Sequence, residues 1–546
     1  MLQCDILVAG GGLAAMKSAL TAAQSGLKVL WVTKTRLCGG ASFYPMMDRV
    51  ACLCATGDPQ QDEQYLYEIL DAGQGMASEK MNRIYIANIR RRVEEFPQMG
   101  VDNARQTEPR VACFAQTARP TFAWSDWNHI RKNLYSLLQG YDNLQVMEYT
   151  AVLSILKTDG AVSGAVLLQK GRRLSVACKS LILATGGMGD LYQYNLNTPD
   201  VSGDGQVLAL QAGAELINVE FIQFIPGFVS PAFKTVFRET TIPYLQQLQN
   251  EKGEDLLTPY LPDAAERAEC LRLRATHGPF TSRSLDRWFD IAMMESILAE
   301  KEETPGFAIR YRPEIAREPS SFVAPYYRWL KEKHGVDLSR DEIHIAPFYH
   351  AANGGIRIDE RCQTRVPGLF ACGEASGGIH GADRLGGHST GGCLVFGHIA
   401  GKQAAEYAMG AVQRKPQPEA EALHRDYAGR GSLTPDQLLP EIRRLMFRTG
   451  GVIRRESALQ SGMAQLEEWR VGFAPLLLLD SGQALDAVKT AHFLLLGQAL
   501  LAAMAARPES RGAHYRQDAP QTDPEQCVRH VVRLEESRCR VLIEEN

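Results

Sequence analysis

The chain of 546 residues reads as an α/β protein built on a doubly wound parallel sheet, and three stretches predict it. The first is Asp5-Ile-Leu-Val-Ala-Gly-Gly-Gly-Leu-Ala-Ala-Met-Lys-Ser-Ala-Leu20, an apolar strand that passes through glycines straight into a helix-forming segment. The second is the strand signal Lys28-Val-Leu-Trp-Val-Thr33. The third is a late glycine-rich run, Gly373 to Gly392, that completes the same site. Together they describe a Rossmann-like unit.

In the first stretch the turn sets bare backbone N–H groups at a helix N-terminus, which is where a pyrophosphate binds. Gly10 permits the tight turn, Gly12 lets a phosphate approach the backbone, and Ala15 is the small residue where helix meets strand. Thr33-Lys34 then stands where many dinucleotide folds carry a ribose-binding acid, which disfavours an NAD dehydrogenase. Gly39-Gly40-Ala41-Ser42-Phe43-Tyr44 is a flexible turn that brings a small hydroxyl toward the cofactor. Residues 62–100 carry helical spacing, with Tyr85, Ile89, Val93 and Phe96 as core contacts.

Leu144 to Leu183 is strand-rich and ends in Ala184-Thr-Gly-Gly-Met-Gly189, a buried strand stopping at a small-residue turn. Val201-Ser-Gly-Asp-Gly205 opens a helix over 206–212, where Asp204 either accepts hydrogen bonds from a sugar or caps the helix. From Phe224 to Tyr349 prolines, charged helices and isolated aromatics predict an inserted domain over the site. The glycines of 373–392 exceed what a packed core requires and suit close backbone approach to a flat ligand. Beyond Pro416 the spacing of Leu459, Met463, Leu466 and Trp469, and an apolar helix ending near Arg507, predict a C-terminal helical bundle. Glu509 to Asp518 reads as an inter-domain salt-bridge network. The expected divisions are 1–223 with 350–410, 224–349, and 411–546.

Composition narrows the function. Hydrophobic residues make up 45% of the chain, enough for several cores. Lys+Arg at 59 against Asp+Glu at 63 leaves a net charge of −4, which argues against nucleic acid or an acidic membrane as partner. Among 12 cysteines only Cys52 and Cys54 lie close in sequence, so no metal or iron-sulfur spacing is present, and the thiols read as reduced in a cytoplasmic protein. Met1 to Asp5 carries no signal-peptide pattern. The apolar stretch 491–506, interrupted by His492 and Gln498, is short for a bilayer, so no direct membrane span is expected.

Taken together, the motifs resemble the flavoprotein subunit family of succinate dehydrogenase, fumarate reductase and L-aspartate oxidase. Besides those above, Glu220-Phe-Ile-Gln-Phe224, His350 with Gly354-Gly355, Gly368-Leu-Phe-Ala-Cys-Gly-Glu374, His380-Gly-Ala-Asp-Arg384 and Glu509-Ser-Arg-Gly-Ala-His514 carry the resemblance. It implies a Rossmann-like FAD-binding domain, an inserted α+β capping domain and a C-terminal helical bundle. It further implies FAD contacts from Gly10, Gly12, Leu13, Ala14, Thr33, Lys34, Gly40, Ser42, Ala184, Thr185, Gly186, Gly187, Asp204, Gly373, Glu374, Arg384, Gly387, Ser389 and Thr390. Members with covalent flavin carry a His where this chain has Ser42-Phe43-Tyr44-Pro45-Met46, so non-covalent FAD is implied, as in L-aspartate oxidase. The family's following Gly-Gly pair is replaced by Met47-Asp48.

The implied chemistry is hydride exchange with flavin N5 and proton movement through a capping-domain arginine. Arg384 takes the carboxylate-binding position, since a guanidinium offers carboxylate a planar fork of donors, and His350 stands beside flavin and substrate. The rest of the family's dicarboxylate site is altered: Ile225 replaces a substrate-binding His, and Phe280 replaces the arginine of Gly-Pro-Arg. Arg283 or Arg287 is then the expected substitute. Glu239 matches a capping acid, but the arginine expected three residues later is Ile242. An apolar residue cannot offset carboxylate desolvation, so the expected substrate is a monocarboxylate or an amino acid with a less polar tail rather than fumarate or succinate. The reading is an FAD-dependent oxidoreductase acting on a small carboxylate-bearing substrate. L-aspartate oxidase or fumarate reductase proper is one alternative, and a flavin-bearing electron-transfer or scaffold protein is another. Electrons would pass to oxygen, a quinone or a separate iron-sulfur subunit.

Overall fold

The computed structural model describes residues 2–249, 253–299, 306–320 and 322–545, so 250–252, 300–305 and 321 of the expected inserted segment, and both terminal residues, lie outside it. Strands Ile6–Ala9 (β1), Val29–Val32 (β2), Leu144–Met147 (β3), Ser180–Leu183 (β4) and Leu369–Ala371 (β5) form a parallel sheet in the order β5-β4-β1-β2-β3. All four residues of β1, β2 and β4 are buried, as a parallel sheet covered on both faces requires. Alternate residues serve opposite faces. Ile6, Val8, Trp31 and Ile182 pack against the helices Leu13–Ala23 (α1) and His388–Gly410 (α2). Leu7, Ala9, Leu30, Val32, Leu181 and Leu183 share a core with the antiparallel strands Thr150–Thr158, Ala161–Gln169 and Arg172–Ala177. Strand order reverses between β1 and β4, the place where open α/β sheets bind ligands.

The segment predicted as a cap is α+β. Its antiparallel sheet runs Ile222–Ser230, Ile343–Ala352, Phe307–Tyr311, Leu245–Gln249, with helices Ala264–Arg274, Arg287–Ala299 and Val323–His334. The outgoing and returning strands are paired, Ile225 opposite Phe348 and Pro226 opposite Pro347, so the excursion ends where it began.

Two C-terminal features depart from the sequence expectation. The apolar helix is Ala484–Ala506, 23 residues, because its amphipathic first turns belong to it as well. It is long and apolar enough to cross a bilayer, yet 72% of its apolar window is buried inside the protein. After the helices the chain forms a β-hairpin, Val528–Glu535 with Arg538–Glu545, that pairs with Leu216–Ile217. Arg529, Arg533 and Glu535 share one face of this strand, on which Val531 is buried. None of the cysteines among the described residues is joined in a disulfide.

The polar cluster after this helix is a buried ion network. Arg507 donates to Glu220 at 2.8 Å and to Glu509 at 3.0 Å, and Arg511 donates to Glu509 at 2.7 Å. Glu220 lies two residues before the first capping strand, so the network ties the C-terminal segment to the base of the cap. Glu509→Ala would leave two buried guanidinium groups short of a partner. It is expected to cost about 3–5 kcal/mol in urea unfolding, with flavin content of the folded fraction unchanged.

Candidate active site

The turn after β1 is held tightly. The Gly10 N–H donates to the Val32 carbonyl at 2.9 Å, and the Trp31 indole N–H donates to the Gly10 carbonyl at 2.7 Å. Gly10 has φ +139°, and a Cβ there would lie 2.1 Å from the Ala184 carbonyl oxygen, so only glycine fits. Beyond it α1 begins at Leu13, whose N–H donates to Ser42 Oγ at 3.4 Å while its N-cap residue, Gly12, gives no side-chain cap, and α2 likewise begins behind Gly387 with no side-chain cap. Leu13 and Ala14 of the first helix and Ser389 and Thr390 of the second line one cavity of about 290 Å³. Two helix N-termini therefore offer unsatisfied N–H groups and positive dipole ends to the same space.

Gly12, Gly40, Ser42, Ala184, Thr185, Gly186, Glu374 and Gly387 line this cavity as well. A smaller lobe, sharing Gly11, Thr185 and Asp200 with it, is lined by Gly10, Thr33, Lys34, Ala151 and Asp204. The two lobes make the long shape a dinucleotide needs. The Thr185 hydroxyl, on both walls, is buried without a hydrogen-bond partner, which is the vacancy a polar ligand atom fills. The residues thus fit FAD. Gly187 and Gly373 stand one step back: a Cβ on Gly187 would meet the Glu374 carboxylate at 2.3 Å, and one on Gly373 the Ala14 methyl at 2.6 Å. Not every late glycine faces the ligand space, however. A Cβ on Gly377, Gly381 or Gly391 would collide with Gly355, Gly73 or Tyr85, so these three serve packing between chain segments.

Asp204 is the first residue of its helix and does more than cap it. Its carboxylate accepts from Lys34 at 2.7 Å and Ser202 at 3.0 Å, and meets His492 Nδ1 at 2.9 Å. Burial opposes its charge, yet Lys34 and His492 hold the carboxyl well below the usual range. The helix that carries His492 thereby reaches the smaller lobe.

The other end of the cavity is cationic. Arg384 is buried; its Nη2 donates to Gln223 at 2.8 Å, Nη1 donates to the Leu385 carbonyl at 3.4 Å, and Nε has no partner. Burial pulls this guanidinium below its ordinary value. His350 lines the cavity, and burial with the nearby Arg384 and Arg238 charges lowers it to about 3, so its ring is neutral near pH 7. Glu239, Ile225, Gly278 and Pro279 complete the capping wall.

Arg283 and Arg287, the expected substitutes for the missing arginine, do not line the cavity. After the Gly278-Pro279 turn Phe280 tucks inward, its N–H on the Phe224 carbonyl at 2.8 Å and its ring edge-on to Tyr515, and the chain carries Arg283 out to Asp71 at 3.0 Å. Arg287 starts a helix, donates to the Ser282 carbonyl and stacks on Trp288. The cavity's further cations are instead Arg49, Arg110 and Arg238, with the Cys113 thiol beside them. Arg238 adjoins Glu239, so its place is marked by a neighbouring motif residue; Arg49 and Arg110 carry no local signal.

Known proteins share this arrangement of sequence. Residues 5–241 and 305–390 match the family described as FAD binding domain, and 440–544 match the fumarate reductase flavoprotein C-terminal family. The chain belongs to the fumarate reductase and succinate dehydrogenase flavoprotein family. This flavoprotein is 27% identical to a fumarate reductase (CoM/CoB) subunit of Methanothermobacter marburgensis, with 96% of each chain covered. It is 28% identical to an L-aspartate oxidase of Streptomyces coelicolor, over 97% of this chain and 91% of that one. Among solved structures, Mycobacterium smegmatis Sdh1 in complex with UQ1 superposes with a TM-score of 0.80 at 24% identity, covering 100% of this chain and 94% of that one, a likeness of fold. The protein is an FAD-dependent oxidoreductase.

Asp383, the neighbour of Arg384, gives the cap seat a pH dependence. It accepts from the Thr281 hydroxyl of the cap at 2.7 Å, and burial raises its carboxyl to about 7. An unfolded Asp titrates near 4, so between those values the folded chain holds a proton the unfolded chain has lost. That contribution to stability is present below about pH 4 and lost as pH rises through about 7. Thermal unfolding midpoints of wild type and Asp383→Asn are therefore expected to diverge between pH 5 and 8, the wild type falling further.

Proposed function

We propose that this flavoprotein oxidises or reduces a small organic acid or amino acid whose carboxylate is gripped by Arg384. One observation supports this above others: the buried Arg384 guanidinium lines the cavity and has no carboxylate partner among the described residues. An unpaired buried charge costs several kcal/mol, which a ligand carboxylate removes. His350, neutral near pH 7, hydrogen-bonds the same substrate without adding charge. Ile225, Val236 and Phe237 keep water from the reacting carbon. With Arg283 and Arg287 turned away, Glu239 is the carboxyl group on the capping wall, and its Oε2 takes or returns the substrate proton. Bound FAD supplies the two-electron acceptor or donor. Gly10, Gly12, Leu13, Ala14, Ser389 and Thr390 would hold it at the helix N-termini, Lys34 and Asp204 at the smaller lobe, Glu374 and Ser42 between. We take the FAD as non-covalent: residues 41–47 contain no histidine, and the Tyr44 hydroxyl donates to the Lys234 carbonyl. The relative from Methanothermobacter marburgensis is named as one subunit of its enzyme, which supports a separate partner subunit here; we take that partner as the electron-transfer component.

Acid precipitation of the purified yellow protein is expected to release the flavin into the supernatant; colour that stays with the pellet would refute the non-covalent assignment. In a dye-linked assay over small acids and amino acids, Arg384→Gln is expected to lower kcat/KM at least about 100-fold, from roughly 3 kcal/mol of lost charged hydrogen bonding. Glu239→Gln is expected to lower kcat about 100-fold with KM nearly unchanged. A holoprotein whose Arg384→Gln variant turns over every substrate at the wild-type rate would sink the proposal.

A further inference from the structure

A second cavity, of about 280 Å³, lies at the other end of the helix Asp204–Gln211: Asp204, its first residue, lines the smaller lobe of the flavin cavity, and Gln211, its last, lines this pocket. Leu210, Phe473, Leu494, Leu495 and Leu534 give it an apolar wall. They come from that helix, from the loop before Pro475, from the apolar helix Ala484–Ala506 and from the first strand of the C-terminal hairpin. Gly213, Ala428 and Ser537, all exposed, line it as well, so it opens to solvent. A concave apolar wall with a few polar groups at its edge is the form of a small-molecule site.

Three cations line this pocket, and two of them are already paired. Arg425 donates to its neighbour Asp426 at 2.6 and 2.9 Å, and Arg470 donates to Glu467 at 2.7 and 2.8 Å. Lys157 has no carboxylate in salt-bridge range among the described residues; its Nζ donates to the Ala212 carbonyl, which uses one of its three N–H groups. Burial, and then Arg425, pull this ammonium below its ordinary value, while Asp426 acts the other way. The excess is one positive charge, half-buried beside apolar surface. A carboxylate on a hydrocarbon body offsets the desolvated charge and covers the apolar wall together. We propose that this pocket is a second ligand site, separate from the flavin cavity, for an apolar monocarboxylate whose carboxylate sits on Lys157 and whose hydrocarbon lies against Phe473, Leu494 and Leu534. A dianionic head group suits it less, because Arg425 and Arg470 are held by Asp426 and Glu467.

The test is calorimetric titration of the FAD-loaded protein with octanoate, butyrate and octanol. Octanoate is expected to bind at least about tenfold tighter than butyrate, since each buried methylene is worth roughly a factor of four. It is expected to bind at least about tenfold tighter than octanol, which lacks the charge. Lys157→Gln, with retained flavin absorbance as the check on folding, is expected to bring octanoate within about threefold of octanol while leaving octanol unchanged. Leu534→Ser, at a half-buried hairpin position, is an independent variant expected to weaken both about fivefold. Arg384→Gln separates this pocket from the flavin cavity. Octanoate binding that survives Arg384→Gln and falls in Lys157→Gln supports the proposal, whether or not the carboxylate reading of the flavin cavity holds. Octanoate binding lost with Arg384→Gln places the ligand in the flavin cavity and overturns it. So does an absence of octanoate binding at millimolar concentration, or binding that neither Lys157→Gln nor Leu534→Ser reduces.

Discussion

The architecture depends on how closely β1 and β4 approach at their carboxyl ends. The Ala184 N–H donates to the Ala9 carbonyl at 2.8 Å, and the next residue, Gly10, presses its α-carbon against the Ala184 carbonyl. That contact forces the chain after β1 to turn sharply and start α1 at the edge of the sheet, and it sends the chain after β4 the other way. The gap between them is the floor of the cavity. Because α2 crosses α1 at small residues, with Gly401 against the Ser18 carbonyl, its N-terminus opens onto the same floor. The site follows from backbone packing before any charged side chain is considered.

Charge is then distributed by burial. At the smaller lobe the groups neutralise one another: Lys34, Asp204, Ser202 and His492 form a closed set. At the capping end they do not. His350 is kept uncharged by burial and by the cations around it, and the guanidinium groups of Arg384 and Arg110 lack carboxylate partners among the described residues. A protein tolerates such an imbalance where a ligand restores it. The Arg507–Glu220–Glu509–Arg511 network, equally buried, balances its charges internally and plays no part in the cavity.

What the sequence discloses follows from locality. Gly10 to Ala15, Ala184 to Gly189 and the Gly278-Pro279 turn each satisfy a backbone demand within a few contiguous residues, so their places in the structure are legible as strings. Ile225 and Arg384 are legible because each sits inside such a string. Arg49 and Arg110 are not, because their position depends on the pairing of three strands and on Phe322 from another segment. Arg283 and Arg287 mislead for a related reason: sequence proximity to a turn says nothing of which way the chain leaves it. Gly377, Gly381 and Gly391 look like ligand-approach glycines, yet their neighbours lie 22 to more than 300 residues away in sequence. The C-terminal hairpin, short and charged, is overshadowed by the helices before it.

One consequence lies in the order of events during synthesis. Asp204 is paired by Lys34 from the first strand-helix unit but completed by His492, 288 residues later. A ribosome-bound chain that has already made both strands and α1 still lacks that imidazole. The lobe lined by Lys34 and Asp204 gains its last member only when translation is nearly finished.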